Sequence, residues 1–379
     1  MKVITSQKSK LEVLDLFAGV GGLSLGAARA GFRVTGAVDF NPRAMLAHNR
    51  NFPNTKHLTM DLSSVSGDQL LAELGILRPD GIIGGPPCQG FSSMGHRKLT
   101  DQRNSLFHKF FSLVSNIRPR FFLAENVTGI LDPKYQSLLD AAFKPVEKDY
   151  HLLKGVEVCA ADYGAPTLRK RVLFFGVLKT EVKKIPKNVF RPDAVEPVYV
   201  LNALDGLPNM IRGDWQSEKQ GWRLISSYAD TEFGRRLMGD VPEGVGCVEA
   251  LQRIRDNREV SGCLGTIHSV DVKSRYRALK PGGKDKVSKS VRLKLDGFCP
   301  TLRAGTGPEL GSYQAVRPIH PTAPRVITPR EAARLQGFPD WFQFDETKWH
   351  SFRMIGNSVS PILAEQILKK IQIIIGDSR

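Results

Sequence analysis

Leu11-Glu12-Val13-Leu14-Asp15-Leu16-Phe17-Ala18-Gly19-Val20-Gly21-Gly22-Leu23-Ser24-Leu25-Gly26-Ala27-Ala28-Arg29 reads as a buried strand, a glycine turn and a helix. The mainly apolar run up to Phe17 suits a strand covered on both faces, as in a parallel sheet. Gly19, Gly21 and Gly22 let backbone approach a ligand, and the helix N-terminus behind them favours an anionic group. A second strand, Val34-Thr35-Gly36-Ala37-Val38, ends at Asp39. Together these make the start of a nucleotide-binding βαβ unit, and an acid at position 39 can accept hydrogen bonds from both ribose hydroxyls.

The spacing is Asp-x-Phe-x-Gly-x-Gly-Gly rather than Gly-x-Gly-x-x-Gly, which tilts against a pyrophosphate cofactor. S-adenosylmethionine has no phosphates; its adenosine calls for the acid and an apolar wall, and its carboxylate suits amide donors. The alternation continues with a helix over 42–50, a weak strand over 58–61, a helix over 68–75 and the strand Gly81-Ile82-Ile83. That strand runs into Gly84-Gly85-Pro86-Pro87-Cys88-Gln89-Gly90-Phe91-Ser92. A thiol behind two prolines is held on a rigid, partly exposed turn, which presents a nucleophile rather than filling a core. The polar stretch 92–104, with His96, Arg97, Lys98 and Arg103, suits a lid over a polyanion. A helix over 105–117 and the strand 121–124 follow, ending at Glu125. Beyond a helix over 135–143, strands at 152–160 and 172–177 form a hairpin-like pair. Between them, Arg169 and Arg171 face one side. The pattern predicts a doubly wound α/β sheet with ligands at the carboxyl ends of its strands, where Asp15, Asp39, Asp61, Cys88 and Glu125 fall.

The chain has 379 residues, 41% of them apolar, enough for one large core and a smaller module. No apolar run reaches the ~18 residues needed to span a bilayer, and the first residues lack the apolar segment of a secretory signal. Five cysteines, at 88, 159, 247, 263 and 299, include no Cys-x-x-Cys pair. This speaks against a disulfide framework or a zinc knuckle; no metal is expected, and a cytoplasmic location is. Fifty-four Lys+Arg against 38 Asp+Glu leave a net charge of +16, which points to a polyanionic partner, nucleic acid foremost.

From about residue 179 the βα alternation stops. Within the irregular stretch that follows, Lys273, Arg275, Arg277, Lys280, Lys284, Lys286, Lys289, Arg292 and Lys294 form a basic stripe with Tyr276 and the turn Pro281-Gly282-Gly283, suited to a nucleic-acid groove. A short helix over 330–336 and a final amphipathic helix over 361–375 close the chain. The expected division is a catalytic and cofactor-binding domain over 1–180, a smaller domain over 181–350, and a segment over 351–379 returning to the first.

Asp15-Leu16-Phe17-Ala18-Gly19-Val20-Gly21-Gly22, Gly85-Pro86-Pro87-Cys88-Gln89-Gly90-Phe91-Ser92, Glu125-Asn126-Val127, Arg169-Lys170-Arg171, Arg330-Glu331 with Gln336-Gly337-Phe338-Pro339, and Gly356-Asn357-Ser358-Val359 stand in the order found in the DNA (cytosine-5)-methyltransferases. The chain resembles the monofunctional bacterial members of that family. The resemblance implies a Rossmann-like, S-adenosylmethionine-dependent methyltransferase sheet with a smaller, irregular target-recognition domain in the middle. That domain ends at Thr301-Leu302, similar to the family's Thr-Leu pair near the target base. Phe17, Asp39, Phe40, Asp61, Pro87, Asn357 and Ser358 are implied at the cofactor, together with Asp15, Gly19, Gly21 and Gly22. Thr167 departs from the glutamine common before the arginine pair, which puts one supporting contact in doubt.

The chemistry accounts for the residue types. Carbon 5 of cytosine is a poor nucleophile until a thiolate adds at carbon 6, and Cys88 is the candidate for that covalent step. Glu125 would hydrogen-bond nitrogen 3 and the exocyclic amine, which requires its carboxyl to carry or share a proton. Arg169 would hold oxygen 2, with Arg171 fixing Cys88 and Glu125. The base must be flipped out of the duplex, and Gln89 with the lid (Ser92, Arg97, Arg103) would fill the gap. Lys284, Lys286, Lys289, Thr301 and Leu302 are the expected DNA contacts in the middle segment. Double-stranded DNA is the expected partner, a cognate restriction endonuclease a companion, and the chain a monomer. The rival readings are a tRNA methyltransferase of the same family, which would have less sequence in the middle, a catalytically dead DNA-binding regulator, and, more distantly, a Rossmann oxidoreductase, which offers no role for Pro-Pro-Cys-Gln.

Overall fold

A computed structural model describes residues 10–87, 104–211, 219–226, 228–239, 241–305 and 317–376. The first half alternates as the sequence predicts: β1 Glu12–Leu16, α1 Gly22–Arg29, β2 Arg33–Asp39, α2 Pro42–Asn51, β3 Lys56–Thr59, α3 Gly67–Leu74, β4 Gly81–Gly84, α4 Asn104–Ile117, β5 Phe121–Asn126, α5 Gln136–Glu147, β6 Tyr150–Cys159, β7 Thr167–Leu168 and β8 Lys170–Leu178. Local chemistry sets several boundaries. Asn41 caps α2 by accepting from the amides of Arg43 and Ala44, with Pro42 in the first turn. Ser66 caps α3, and Gly75 ends it in the left-handed conformation.

Seven strands form one sheet in the order β3-β2-β1-β4-β5-β8-β6. β1 to β5 run parallel, while β8 lies antiparallel between β5 and β6. Chain direction along the sheet reverses between β1 and β4, the place where a doubly wound sheet opens a ligand crevice. One sheet face is closed by α4 and α5 through an aromatic layer of Phe107, Phe110, Phe111, Phe122, Phe143, Tyr150 and Phe174. The opposite face is closed by α1, which packs against the C-terminal helix.

The second half contains α6 Val200–Leu204, β9 Arg223–Leu224, α7 Glu232–Met238, α8 Val248–Asn257, β10 Glu259–Val260, α9 Val270–Ala278, β11 Cys299–Pro300, α10 Pro329–Gln336, α11 Lys348–Asn357 and α12 Pro361–Gly376. Apolar residues of this half, among them Phe190, Val200, Leu237, Ile254 and Trp341, share one core with Val13, Leu25 and α12. Every residue of α10 is buried. Its charges are compensated: Arg334 forks onto Asp340 at 2.9 and 2.7 Å, Arg325 forks onto Glu331 at 2.8 and 2.7 Å, and Arg330 donates to the carbonyls of Ser261, Pro339 and Phe342. Buried ions persist only when paired in this way. The Arg330-Glu331 motif is therefore structural: Arg330 ties α10 to residues 261, 339 and 342, and Glu331 ties it to Arg325.

Candidate active site

Phe17, Asp39, Pro86 and Glu125 lie at or just past the carboxyl ends of β1, β2, β4 and β5, where a doubly wound sheet places its ligands. Asp39 is the last residue of β2, and both its oxygens are used within the protein. Oδ2 accepts the amide of Gly19 at 2.9 Å and Oδ1 that of Asn41 at 2.8 Å. Burial raises its carboxyl above the usual range, with the amides of Asn41, Gly19 and Phe40 opposing. Asp39 thus shapes the glycine loop, a duty beyond the ribose contact expected of it. Phe40 presents an apolar ring that is 64% exposed. Asp61 is exposed, accepts from the amide of Ser63, and stands two residues beyond β3 rather than at its end.

The three loop glycines have different reasons to be glycine. Gly19 has φ near +55° and open space where a Cβ would point, so a ligand can come close there. A Cβ on Gly21 would lie 2.6 Å from Phe52 and 2.9 Å from His48, and one on Gly22 would lie 2.2 Å from Ser358 Oγ and 2.3 Å from the Val359 carbonyl. At 22 the close packing of α1 against its neighbours, not ligand approach, requires glycine; at 21 the crowding adds to a φ near +100° that itself favours glycine. Ser358 is buried against this contact, whereas Asn357 is exposed at the end of α11. Phe17 has φ near +58° at the mouth of the loop. Asp15 lies inside β1 and is fully buried, not beyond the strand end. The open Gly19 backbone, the exposed Phe40 ring and the exposed Asp61 carboxylate together fit an adenosine bearing an amino-acid tail.

On the other side of the switch point, Pro86 and Pro87 follow β4, and Asn126 Nδ2 donates to the Pro86 carbonyl at 3.2 Å, tying this turn to β5. A Cβ on Gly85 would lie 3.5 Å from Glu125 Oε2, so the Glu125 carboxyl faces the start of the Gly85-Pro86-Pro87 segment. Arg171 Nε forms an ion pair with Glu125 Oε1 at 2.5 Å, both side chains about nine-tenths buried. Thr167, Arg169 and Arg171 turn inward while Leu168 and Lys170 turn out, as the spacing predicts. Arg169, however, donates to the carbonyls of Leu302 at 3.2 Å and Gly356 at 3.0 Å. It ties segments together, and Arg171 is the arginine that meets the glutamate.

Thr301-Leu302 is held beside these arginines. β11 pairs in parallel with β7, Thr301 Oγ1 donates to the Leu168 carbonyl at 2.9 Å, and Thr167 Oγ1 donates to the Cys299 carbonyl at 3.2 Å. The side chain of Leu302 is buried. In the basic stripe, Arg275 pairs with Asp285 and Arg292 donates to the carbonyls of Leu279 and Pro321, so both are structural. Lys273, Arg277, Lys280, Lys284, Lys286, Lys289 and Lys294 are exposed. Cys88, Gln89, Ser92, Arg97 and Arg103 lie outside the described residues. Asn126, Ser24, His48 and His57 take part in the site's hydrogen bonding, although the sequence marks no role for them. Their partners lie on other elements, and only a histidine expected on the buried face of α2 would have marked one of them.

The profile of the C-5 cytosine-specific DNA methylases matches residues 11–373. The chain is 39% identical to the type II methyltransferase M.XorII of Xanthomonas oryzae pv. oryzae, covering 95% of this chain and 85% of that one. It is 30% identical to M.DdeI of Desulfomicrobium norvegicum, covering 95% and 88%. Among solved structures, an E. coli prophage protein provisionally designated a DNA modification methyltransferase is 49% identical with a TM-score of 0.88, covering 97% of this chain and all of that one. The S. pombe Dnmt2 methyltransferase, at 18% identity and a TM-score of 0.60, shares the fold, covering 97% and 99%.

Proposed function

The chain belongs to the C-5 cytosine-specific DNA methylases, and from that premise we propose that it methylates carbon 5 of a flipped-out cytosine in one duplex DNA sequence through a covalent bond from Cys88. It is a cytosine-5 DNA methyltransferase of the type II restriction-modification kind. The observation that carries the mechanism is the Glu125–Arg171 pair set against Gly85, at the root of the turn that leads to Cys88. The Cys88 thiolate adds to carbon 6 of the pyrimidine, and the negative charge that develops is relieved at nitrogen 3, where Glu125, having taken up a proton from solvent as the base enters, supplies it or a strong hydrogen bond. Arg171 orients Glu125 and is the arginine available to oxygen 2; Arg169 acts as a positioning residue. S-adenosylmethionine supplies an electrophilic methyl on a sulfonium sulfur. Phe40, Asp39, Asp61, Phe17, Pro87, Asn357 and the Gly19 backbone would hold its adenosine and tail. Transfer of the carbon-5 proton to water then expels the Cys88 thiolate, the nitrogen-3 proton returns to Glu125, and the ring is restored.

The middle segment contributes the target-recognition surface, with Lys284, Lys286 and Lys289 on DNA phosphates and Thr301 beside the base. A cognate endonuclease acting at the same site, a monomeric state and a cytoplasmic location complete the reading. Among the described residues no helix is long and apolar enough to cross a membrane. Sequencing 5-methylcytosine in DNA from cells expressing the protein tests the whole: one recurrent motif should be modified, and a genome without marks overturns it.

A further inference from the structure

Beneath the glycine loop, Asp15, Ser24, His48 and His57 form an unbroken file. Ser24 Oγ lies 2.6 Å from Asp15 Oδ2, His48 Nε2 3.0 Å from Ser24 Oγ, and His57 Nε2 2.8 Å from His48 Nδ1. The four residues come from β1, α1, α2 and β3. The first three are fully buried, while His57, on an edge strand, is half-buried, so the file meets solvent at that end. Asp15 Oδ1 has no hydrogen-bond partner among the described residues. Asp39 is the charged group facing Asp15 from β2. The Thr55 backbone favours a proton on His57, and only its carbonyl can accept one.

We propose that Asp15 is a proton-exchanging residue of the cofactor site and that Ser24, His48 and His57 carry its proton to solvent. This rests on the reading of that site as one for S-adenosylmethionine. The file can be wired in two directions. When Asp15 is protonated, its O–H donates to Ser24, Ser24 donates to His48 Nε2, and His48 Nδ1–H donates to His57 Nε2. His57 meanwhile keeps its own proton on Nδ1, towards Thr55. Three hops reverse every bond. Asp15 is left ionised, its O–H bond broken; Ser24 donates to Asp15; His48 carries its proton on Nε2; and His57 gains an N–H bond, holding protons on both nitrogens until it releases one to water. His48 changes tautomer but is never charged, in keeping with the burial that holds its basicity well below the ordinary range.

The file is coupled to the ligand side through the loop. A Cβ on Gly21 would touch His48, and the Gly19 amide is bonded to Asp39. Burial pushes the Asp15 carboxyl up to about 7, the Ser24 hydrogen bond opposing and Asp39 adding to the rise. A ligand that brings a sulfonium and an ammonium favours the ionised form, so the proton leaves as the cationic ligand arrives.

Calorimetry of S-adenosylmethionine binding to the full-length chain near pH 7, repeated in buffers of different ionisation enthalpy, tests this. The wild type should release a fraction of a proton, and Asp15→Asn none. Binding whose enthalpy is independent of buffer overturns the proposal and leaves the cofactor site standing, whereas no binding at all overturns the site reading and the proposal with it. If Asp15→Asn does not fold, 15N-histidine NMR of the unsubstituted, cofactor-free protein decides. His48 should pass from Nδ1–H to Nε2–H, neutral throughout, as pH rises through the Asp15 titration. One fixed tautomer overturns the proposal.

Discussion

Arg171 Nε stands 2.5 Å from Glu125 Oε1, with β8 antiparallel beside β5 and Gly85 on the far side of the carboxyl. A buried pair of this kind is weak evidence for stability, but removing one partner leaves the other charge buried and uncompensated. Arg171→Ala should therefore lower stability by about 3–5 kcal/mol, read as a fall in the unfolding midpoint. Adding Glu125→Gln should restore part of that loss without restoring methyl transfer. Glu125→Gln alone should reduce turnover ~10²-fold or more while cofactor and DNA still bind. Near-normal turnover in that variant would remove Glu125 from the chemistry.

Cys88→Ala should abolish methyl transfer and leave DNA binding intact. DNA carrying 5-fluorocytosine should be trapped covalently by the unsubstituted protein during turnover, because fluorine cannot depart as the proton does. A denaturing gel without a shifted band would count against sulfur addition at carbon 6.

The loop glycines should separate by readout. Gly22→Ala forces a methyl onto Ser358 Oγ and the Val359 carbonyl, and overpacking of this kind costs about 1–3 kcal/mol. Gly19→Ala meets open space and bears only the strain of its positive φ, of order 1–2 kcal/mol. The first should show mainly in thermal stability and the second mainly in cofactor affinity, measured by calorimetry.

Neutralising Lys284, Lys286 and Lys289 should weaken DNA binding and reduce the slope of log K against log salt by up to ~0.9 for each phosphate that no longer meets a lysine. Arg292→Ala, which removes donors to the carbonyls of Leu279 and Pro321, should act on folding instead. An unchanged salt slope in the triple lysine variant would return those residues to ordinary solvated surface.

The Asp15 carboxyl, raised from 3.8 to about 7, binds its proton more tightly folded than unfolded. Its contribution to stability is fully present below about pH 4 and is lost as pH rises through about 7. In the cofactor-free protein Asp15→Asn should flatten that part of the pH–stability curve, measured by denaturant unfolding. A curve that keeps its slope would mean that Asp15 is ionised in the fold.

The sheet is legible in the sequence because apolar runs mark β1, β4 and β5, and the places of Asp39 and Glu125 at the ends of β2 and β5 follow from where the apolar residues stop. Asp15 is misread, since the strand continues past it to Leu16 and buries it. β3 is harder to read: it is observed at Lys56–Thr59 rather than 58–61, because an edge strand with half-exposed side chains carries little alternation. The reason for glycine at 22 is not legible, since the atoms it would strike belong to Ser358 and Val359 at the far end of the chain. Roles within the arginine pair are equally hidden. Arg169 and Arg171 share a face, but only the presence of the Leu302 and Gly356 carbonyls beside the first shows which one is left to meet Glu125.

The parallel pairing of Cys299–Pro300 with Thr167–Leu168, reinforced from both sides by threonine hydroxyls, has a bearing on engineering. A chimera that imports a foreign middle segment inherits a seam next to Arg169 and Arg171. If the donor brings its own counterpart of residues 299–302, the seam must also accept Arg169; if the host keeps 299–302, the graft has to end before Cys299. Transplanting specificity in this chain is thus a problem of matching two short edges, and grafts cut on the host side of Cys299 should retain turnover most often.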